Sequence, residues 1–283
     1  MNSMIIVFIF VFVFGIVLGS FVNALEYRIN EKMTMSGRSI CPECKHQLVW
    51  RDLVPILSWL FLRGKCRYCG KKISVQYPVV ELLSGFSLAT LVYVFSRYAI
   101  PAEAGIPDYI LNANQLHLLG FLAWFVLVSS LSTVLVLVAL HDFKTGYVLS
   151  YYTYFGMAAT LVLVSFTTSG FLGWPQLLTH IYCALGAAAP FAILWAVSRG
   201  KWMGAGDIEI AVLLGLVLGW PATIVGLYFA FIVGSIVGLL LVANKKSKLK
   251  SEISFGPFLV MGIYFALLFS QQIVNIYVRM FLG

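Results

Sequence analysis

Asp142 and Asp207 stand at the ends of apolar runs in a chain that otherwise avoids charge, with acidic and basic residues making up 11% of its 283 residues. Asp142 follows the run Leu116–Leu140 and precedes Lys144-Thr145-Gly146. Asp207 closes Gly204-Ala205-Gly206-Asp207 and precedes the run Ile208–Trp220. An ionisable group at the mouth of a membrane helix is costly unless it faces water, a partner or a substrate. The glycines beside Asp207 predict a sharp, mobile turn that another backbone or a peptide can approach closely. Two carboxylates brought together cannot both ionise easily, so the pair shares a proton. One then acts as base on a water while the other, protonated, donates to a carbonyl oxygen. That is peptide hydrolysis with neither a metal nor a covalent intermediate. The bare pair also suits a proton-coupled membrane transporter, and spacing along the chain does not fix the distance between the two acids.

A second chemical cluster is Cys41-Pro42-Glu43-Cys44 with Cys66-Arg67-Tyr68-Cys69, two C-x-x-C pairs separated by 21 residues. Each pair places two thiolates on one tight turn, and two such turns complete a tetrahedral four-cysteine shell for zinc. A redox C-x-x-C normally stands alone beside a strand–helix unit, a context missing here, and a cytoplasmic location disfavours two structural disulfides. The shell is closed, so the predicted role of the zinc is structural: it folds a loop too small to make its own core. Cys183, inside an apolar run, reads as a small packing residue.

These residues must be positioned by membrane helices. Hydrophobic residues are 61% of the chain and its mean hydropathy is +0.94, which excludes a soluble globular protein and makes it an all-α polytopic membrane protein. The apolar runs give eight transmembrane helices: about Met4–Leu25, Val79–Phe95, Leu116–Leu140, Val148–Phe166, Leu177–Val197, Ile208–Leu218, Ala222–Val242, and Phe255 to about Val278. The sixth is short. The stretch 27–77 holds ten of the nineteen basic residues, all four paired cysteines and no run long enough to cross. The expected division is therefore a first span at 1–26, a zinc-binding loop domain at 27–77 and a seven-helix membrane domain at 78–283. Gly19-Ser20-Phe21 with Asn23 forms a small, polar stripe suited to helix packing, and Glu81, at the start of the second span, reads as an interfacial acid with a site role as the competing reading.

No basic residue precedes the first apolar run, so that run reads as a span rather than a signal peptide, with its N-terminus outside the cytoplasm. Seventeen of the nineteen Lys and Arg then fall in the loops 27–77, 142–147, 199–207 and 244–254, while only Arg97 and Arg279 lie on the other side. This asymmetry is the positive-inside rule, and it puts the zinc loop, Asp142 and Asp207 at the cytoplasmic membrane boundary. The net charge of +8 accordingly reads as attraction to the anionic head groups of the bilayer, with no nucleic acid as partner.

The motifs together resemble the type IV prepilin leader peptidase family, whose members combine prepilin peptidase and N-methyltransferase. The resemblance covers nearly the whole chain. It rests on Gly19-Ser20-Phe21 with Asn23 and Arg28, on Arg38-Ser39-Ile40-Cys41-Pro42-Glu43-Cys44, and on the segment Leu48 to Trp59. It continues through Leu62 to Cys69, Tyr77 to Gly85, the Gly-Ala-Gly-Asp stretch, and Phe255-Gly256-Pro257-Phe258. The resemblance implies a bacterial inner-membrane enzyme that cuts the short basic leader of prepilin or pseudopilin precursors after a Gly, at the cytoplasmic face. It implies Asp142 and Asp207 as the catalytic pair. It further implies methylation of the new α-amine with S-adenosylmethionine in members that carry the cysteine loop. Glu43, Gly64 and Lys65 are the candidates for the methyl-donor site, with loop geometry and surface charge as their competing roles. No glycine-rich strand–helix motif of a soluble S-adenosylmethionine site occurs.

Two positions depart from the family pattern. The family commonly has Pro-Asp shortly after its first catalytic Asp, where this chain has Leu149-Ser150. A Lys usually follows the Gly-x-Gly-Asp by two residues, where this chain has Glu209. An anion in place of a cation beside Asp207 is expected to shift the pH optimum or the substrate preference.

Overall fold

The computed structural model describes residues 2–34, 36–99, 115–167, 174–243 and 254–281. Among them are nine α-helices: α1 Asn2–Asn30, α2 Leu57–Phe61, α3 Gln76–Ala99, α4 Gln115–Thr145, α5 Ser150–Thr167, α6 Trp174–Ser198, α7 Ala205–Leu218, α8 Ala222–Ala243 and α9 Gly256–Phe281. All but α2 coincide with the predicted spans. Lipid offers backbone groups no partner, so an apolar crossing segment closes its own hydrogen bonds as a helix. Six of the nine are long and apolar enough to cross a membrane. The exceptions at predicted spans are α5 and α7, of 18 and 14 residues. At about 1.5 Å per residue, α7 reaches roughly 21 Å against a hydrocarbon core of about 30 Å. It compensates by position: Ile210, Ala211 and the whole run Leu213–Leu218 are buried, so α7 is the central helix, surrounded by α5, α6, α8 and α9. The basic loop expected at 244–254 lies outside the described residues except for Ser254.

The helices touch through small residues, as membrane helices do. A Cβ added at Gly15 would lie 2.7 Å from the Ser84 carbonyl oxygen, and one at Gly19 would lie 2.6 Å from Glu81 Cα. The two glycines are one turn apart on the face of α1 that meets α3. Asn23 continues this face, donating from Nδ2 to the Tyr77 carbonyl at 3.1 Å. Phe21 points away and is exposed. On the other side of the bundle, α8 and α9 meet where Gly226 faces the Gly262 carbonyl. Between these pairs, Ser87 of α3 bonds Ser132 of α4 at 2.6 Å and Tyr264 of α9 at 2.5 Å, a buried polar staple across three helices.

Two helices run past their apolar segments. α1 continues to Asn30 and α4 to Thr145, so Asp142 lies inside the last turn of α4 rather than beyond it. Gly146 stops α4: its φ is +69° and its N–H caps the Asp142 carbonyl at 2.8 Å, the left-handed ending that glycine adopts most cheaply.

The cysteine loop is built from two matching knuckles. The Cys41 N–H bonds the His46 carbonyl at 3.0 Å, and the Cys66 N–H bonds the Lys71 carbonyl at 2.8 Å. The bridges Ile40–Gln47 and Lys65–Lys72 close the two turns. The residue after each second cysteine, Lys45 or Gly70, has positive φ.

Candidate active site

Three helix ends converge on Asp142. Its Oδ2 accepts the backbone N–H of Gly256 at 2.9 Å and also the Ser254 hydroxyl. Gly256 is the first residue of α9, so the carboxylate caps the positive end of that helix. The site needs glycine here. A Cβ at Gly256 would strike the Asp142 carboxylate on one side and lie 2.7 Å from Ile210 Cδ1 on the other. Ile210 is three residues beyond Asp207 in α7, hence on the same helix face, and the first turn of α7 is thereby drawn to the same point. Asp207 is half-buried and within electrostatic reach of Asp142.

The glycines before Asp207 act differently from the predicted mobile turn. Gly204 caps α7 in extended conformation, with φ −73° and ψ 149°, and Gly206 is helical. What Gly206 supplies is closeness: a Cβ there would lie 2.5 Å from Val148 Cβ, in the connection between α4 and α5. Both aspartates are held in first or last helical turns.

A buried ionic cluster braces this end of α4, and sequence reasoning missed it. Glu26 of α1 is fully buried. Its Oε2 lies 2.9 Å from Nδ1 of His141, the residue before Asp142, and its Oε1 accepts from Asn30 Nδ2 at 2.6 Å. Lys144 Nζ stands 3.9 Å from the same Oε1. The available signal was an acid one turn before Asn30 at the end of an apolar run, where an unpaired charge is not tolerated. Glu81, expected as an interfacial acid, is buried and accepts the Ile56 N–H at 2.7 Å, tying α3 to the cysteine loop.

The four cysteines Cys41, Cys44, Cys66 and Cys69 come together, their Sγ atoms all within 4.8 Å of one another. A tetrahedral shell with metal–sulfur bonds of about 2.3 Å places its sulfurs about 3.8 Å apart, so these thiols can hold a metal ion. Asp52 links the knuckles to the intervening turn. It accepts from Arg67 Nε at 2.7 Å and from the Tyr68 hydroxyl at 3.1 Å. Partial burial works against its charge, yet these bonds and the Arg67 cation hold its carboxyl below the usual aspartate range.

Between this loop and the ends of α1, α3 and α4 lies a cavity of about 620 Å³, lined by cationic, anionic and aromatic side chains including Arg38, Glu43, Lys72, Tyr77, Glu81 and Lys144. Of the three methyl-donor candidates, Glu43 lines it, whereas Gly64 and Lys65 do not. Gly64, at φ +66°, packs against the Trp59 ring.

Comparison with known proteins bears on this geometry. Residues 13–95 match the family model for the bacterial peptidase A24 N-terminal domain, and residues 129–239 match that of the type IV leader peptidase family. The chain belongs to the type IV leader peptidase family. A relative from Bacillus subtilis, a prepilin leader peptidase/N-methyltransferase, is 29% identical over 96% of this chain and 98% of its own length. Relatives of the same name from Myxococcus xanthus and Aeromonas hydrophila are 32% and 27% identical, over 82% and 97% of this chain and 62% and 95% of their own lengths. No solved structure matches.

Within this leader-peptidase framework, the Phe-Gly-Pro-Phe motif supplies the Gly256 amide that meets Asp142. The two departures from the family pattern also meet each other: Ser150 Oγ donates to Glu209 Oε1 at 2.9 Å, joined by the Tyr154 hydroxyl at 3.1 Å.

Proposed function

We propose that this chain is an aspartyl prepilin peptidase of the bacterial inner membrane, cutting the leader of prepilin-like precursors after a Gly and then methylating the new N-terminus. The observation that supports this reading is the convergence of α4, α7 and α9 at Gly256, with Asp142 and Asp207 in the helical turns that meet there; in the proposed topology both lie at one membrane boundary. That boundary is the cytoplasmic one by the distribution of Lys and Arg. It is where the leader of an inserted precursor leaves its apolar helix.

In the proposed reaction, one carboxylate of the pair is anionic and takes a proton from water as the water oxygen attacks the scissile carbonyl carbon. The other is protonated and donates to the carbonyl oxygen, giving a neutral tetrahedral diol. Collapse of the diol breaks the C–N bond. The carboxyl that gained the water proton passes it to the leaving amine, and the second carboxylate recovers its proton from the diol hydroxyl. Gly256 and Ser254 fix one Asp142 oxygen, leaving the other to face the substrate. The Glu26–His141 pair holds the helix end that carries Asp142.

For the second activity the 620 Å³ cavity fits S-adenosylmethionine in size and donor set. Arg38 and Lys72 suit its carboxylate, Glu43 its ribose hydroxyls or ammonium, and Tyr77 an aromatic face. When bound, the cofactor supplies an electrophilic methyl group. Lys144 lines the cavity and also reaches the Glu26 cluster beside Asp142, so the cleaved N-terminus has a short path to it. The four cysteines take zinc, whose role is to fold the loop that roofs this cavity.

The test is cleavage of a prepilin-like substrate co-expressed in membranes with wild type, Asp142→Ala or Asp207→Ala. Leader removal by wild type and by neither variant is expected. Removal by both variants would overturn the dyad and favour the transport reading of the two acids. Methyl-donor binding is tested separately, by equilibrium binding of S-adenosylhomocysteine to wild type and Glu43→Gln.

A further inference from the structure

Glu209 is two residues beyond Asp207, on the side of α7 that faces α5. Its Oε1 is satisfied by Ser150 and Tyr154, at 2.9 and 3.1 Å. Its Oε2 is shielded from solvent and has no hydrogen-bond partner. No Lys or Arg pairs with it among the described residues. A carboxylate oxygen shut away from water without a partner is unfavourable, and persists where something else supplies the missing proton donor or positive charge. Ser150 is a neutral donor: it orients the carboxylate without neutralising it. Tyr154, the outer member of the trio, is 57% exposed, so this carboxylate lies next to the protein surface.

A membrane-inserted precursor supplies the matching group. Its leader lies on the cytoplasmic side and carries Lys or Arg there for the same electrostatic reason that this chain does. Resting on the peptidase reading above, we propose that Glu209 is a specificity-determining residue: its Oε2 accepts a Lys or Arg side chain of the leader while the scissile bond lies at Asp142 and Asp207. Residues i and i+2 of a helix point to different faces, so the cation is not at the scissile residue. An extended peptide advances about 3.3 Å per residue, and crossing from the Asp207 face to the Glu209 face takes about two to four residues. The recognised cation therefore sits that far into the leader, and the apolar helix of the mature protein runs the other way. A basic residue at position 150 or 154 would neutralise the same carboxylate and erase the preference.

The experiment is a two-by-two comparison of kcat/KM in detergent-solubilised enzyme. Wild type and Glu209→Gln are assayed against a precursor with Lys at the second to fourth leader positions before the cut, and against one with Gln there. The expected result is a loss of about tenfold in Glu209→Gln with the Lys leader and a change below about twofold with the Gln leader, a coupling of the kind that such cycles measure between close charges. Equal losses with both leaders would overturn the proposal and leave Glu209 an anchor for α5. A Ser150→Ala/Tyr154→Phe variant keeps the charge and removes both bonds. It is expected to retain the preference for the Lys leader; losing the preference would also overturn the proposal. If wild type cuts neither leader, the peptidase reading itself fails, a result distinct from loss of discrimination.

Discussion

The backbone N–H of Gly256 and the carboxylate of Asp142 meet at 2.9 Å although 114 residues separate them. The contact joins the end of α4 to the start of α9 and leaves no volume for a side chain between them. Gly256→Ala is expected to displace the Asp142 carboxylate and lower kcat/KM for leader cleavage by about 100-fold, the scale of a misplacement of about 1 Å in a reacting group. Thermal unfolding of the same variant separates a lost geometry from a lost fold.

Glu26→Ala tests the brace behind Asp142. The substitution leaves the buried His141 Nδ1 without its acceptor, at a cost of about 1–3 kcal/mol for an unsatisfied buried group, while the exposed Asn30 amide turns to water. A clear drop in the unfolding midpoint is expected, larger than that of Glu26→Gln, which keeps an acceptor in place. An unchanged midpoint in Glu26→Ala would show that the cluster adds nothing to stability.

Removing the metal should separate the two activities. The α1–α3 contact at Gly15 and Gly19 does not depend on the cysteines, so the membrane helices keep their places when the loop loosens. Cys41→Ser/Cys44→Ser, or treatment with a chelator, is expected to abolish bound zinc and methylation while leaving leader removal. Mass spectrometry of the mature N-terminus reads both at once.

Asp52 gives the loop an acid limit. Its carboxyl is held below its ordinary range in the folded loop, so the folded state binds protons less readily than the unfolded one. The stabilisation is present above the ordinary carboxylate pKa of about 3.9 and is lost as pH falls through the lower folded value. Protease resistance of the loop should therefore decline at acid pH in wild type. Asp52→Asn should start lower at neutral pH and lack that part of the decline.

Gly19→Leu is expected to force α1 and α3 apart, because an added Cβ already lies 2.6 Å from Glu81 Cα. Overpacking of this kind typically costs about 1–3 kcal/mol. The measurement is again the unfolding midpoint, with Gly120→Leu as control, since nothing lies within 4 Å of a Cβ there.

The places of the eight helices other than α2 are legible in the chain because lipid demands continuous apolar runs, and the proposed shared boundary of Asp142 and Asp207 rests on the distribution of the basic residues. The cysteine cluster is equally legible, since a metal shell is written in residue type and spacing. What hydropathy does not carry is where helices stop. α1 and α4 run on to Asn30 and Thr145 because Glu26, His141 and Gly146 give their last turns partners and a cap. Nor does it carry pairings such as Glu26 with His141 or Ser150 with Glu209, 115 and 59 residues apart, which exist only once the bundle is packed. The Gly-Ala-Gly-Asp stretch shows the limit most clearly: glycine suggests freedom, and the fold uses Gly206 for proximity to Val148 instead.

The bond from Asn23 to the Tyr77 carbonyl has a topological consequence. The chain leaves the membrane at α1, winds through both knuckles, and re-enters at α3 beside the point it left. The roof over the cavity is thus a cassette with a closed base. Replaced by a tight hairpin between α1 and α3, it could be lifted out whole, with both aspartates untouched.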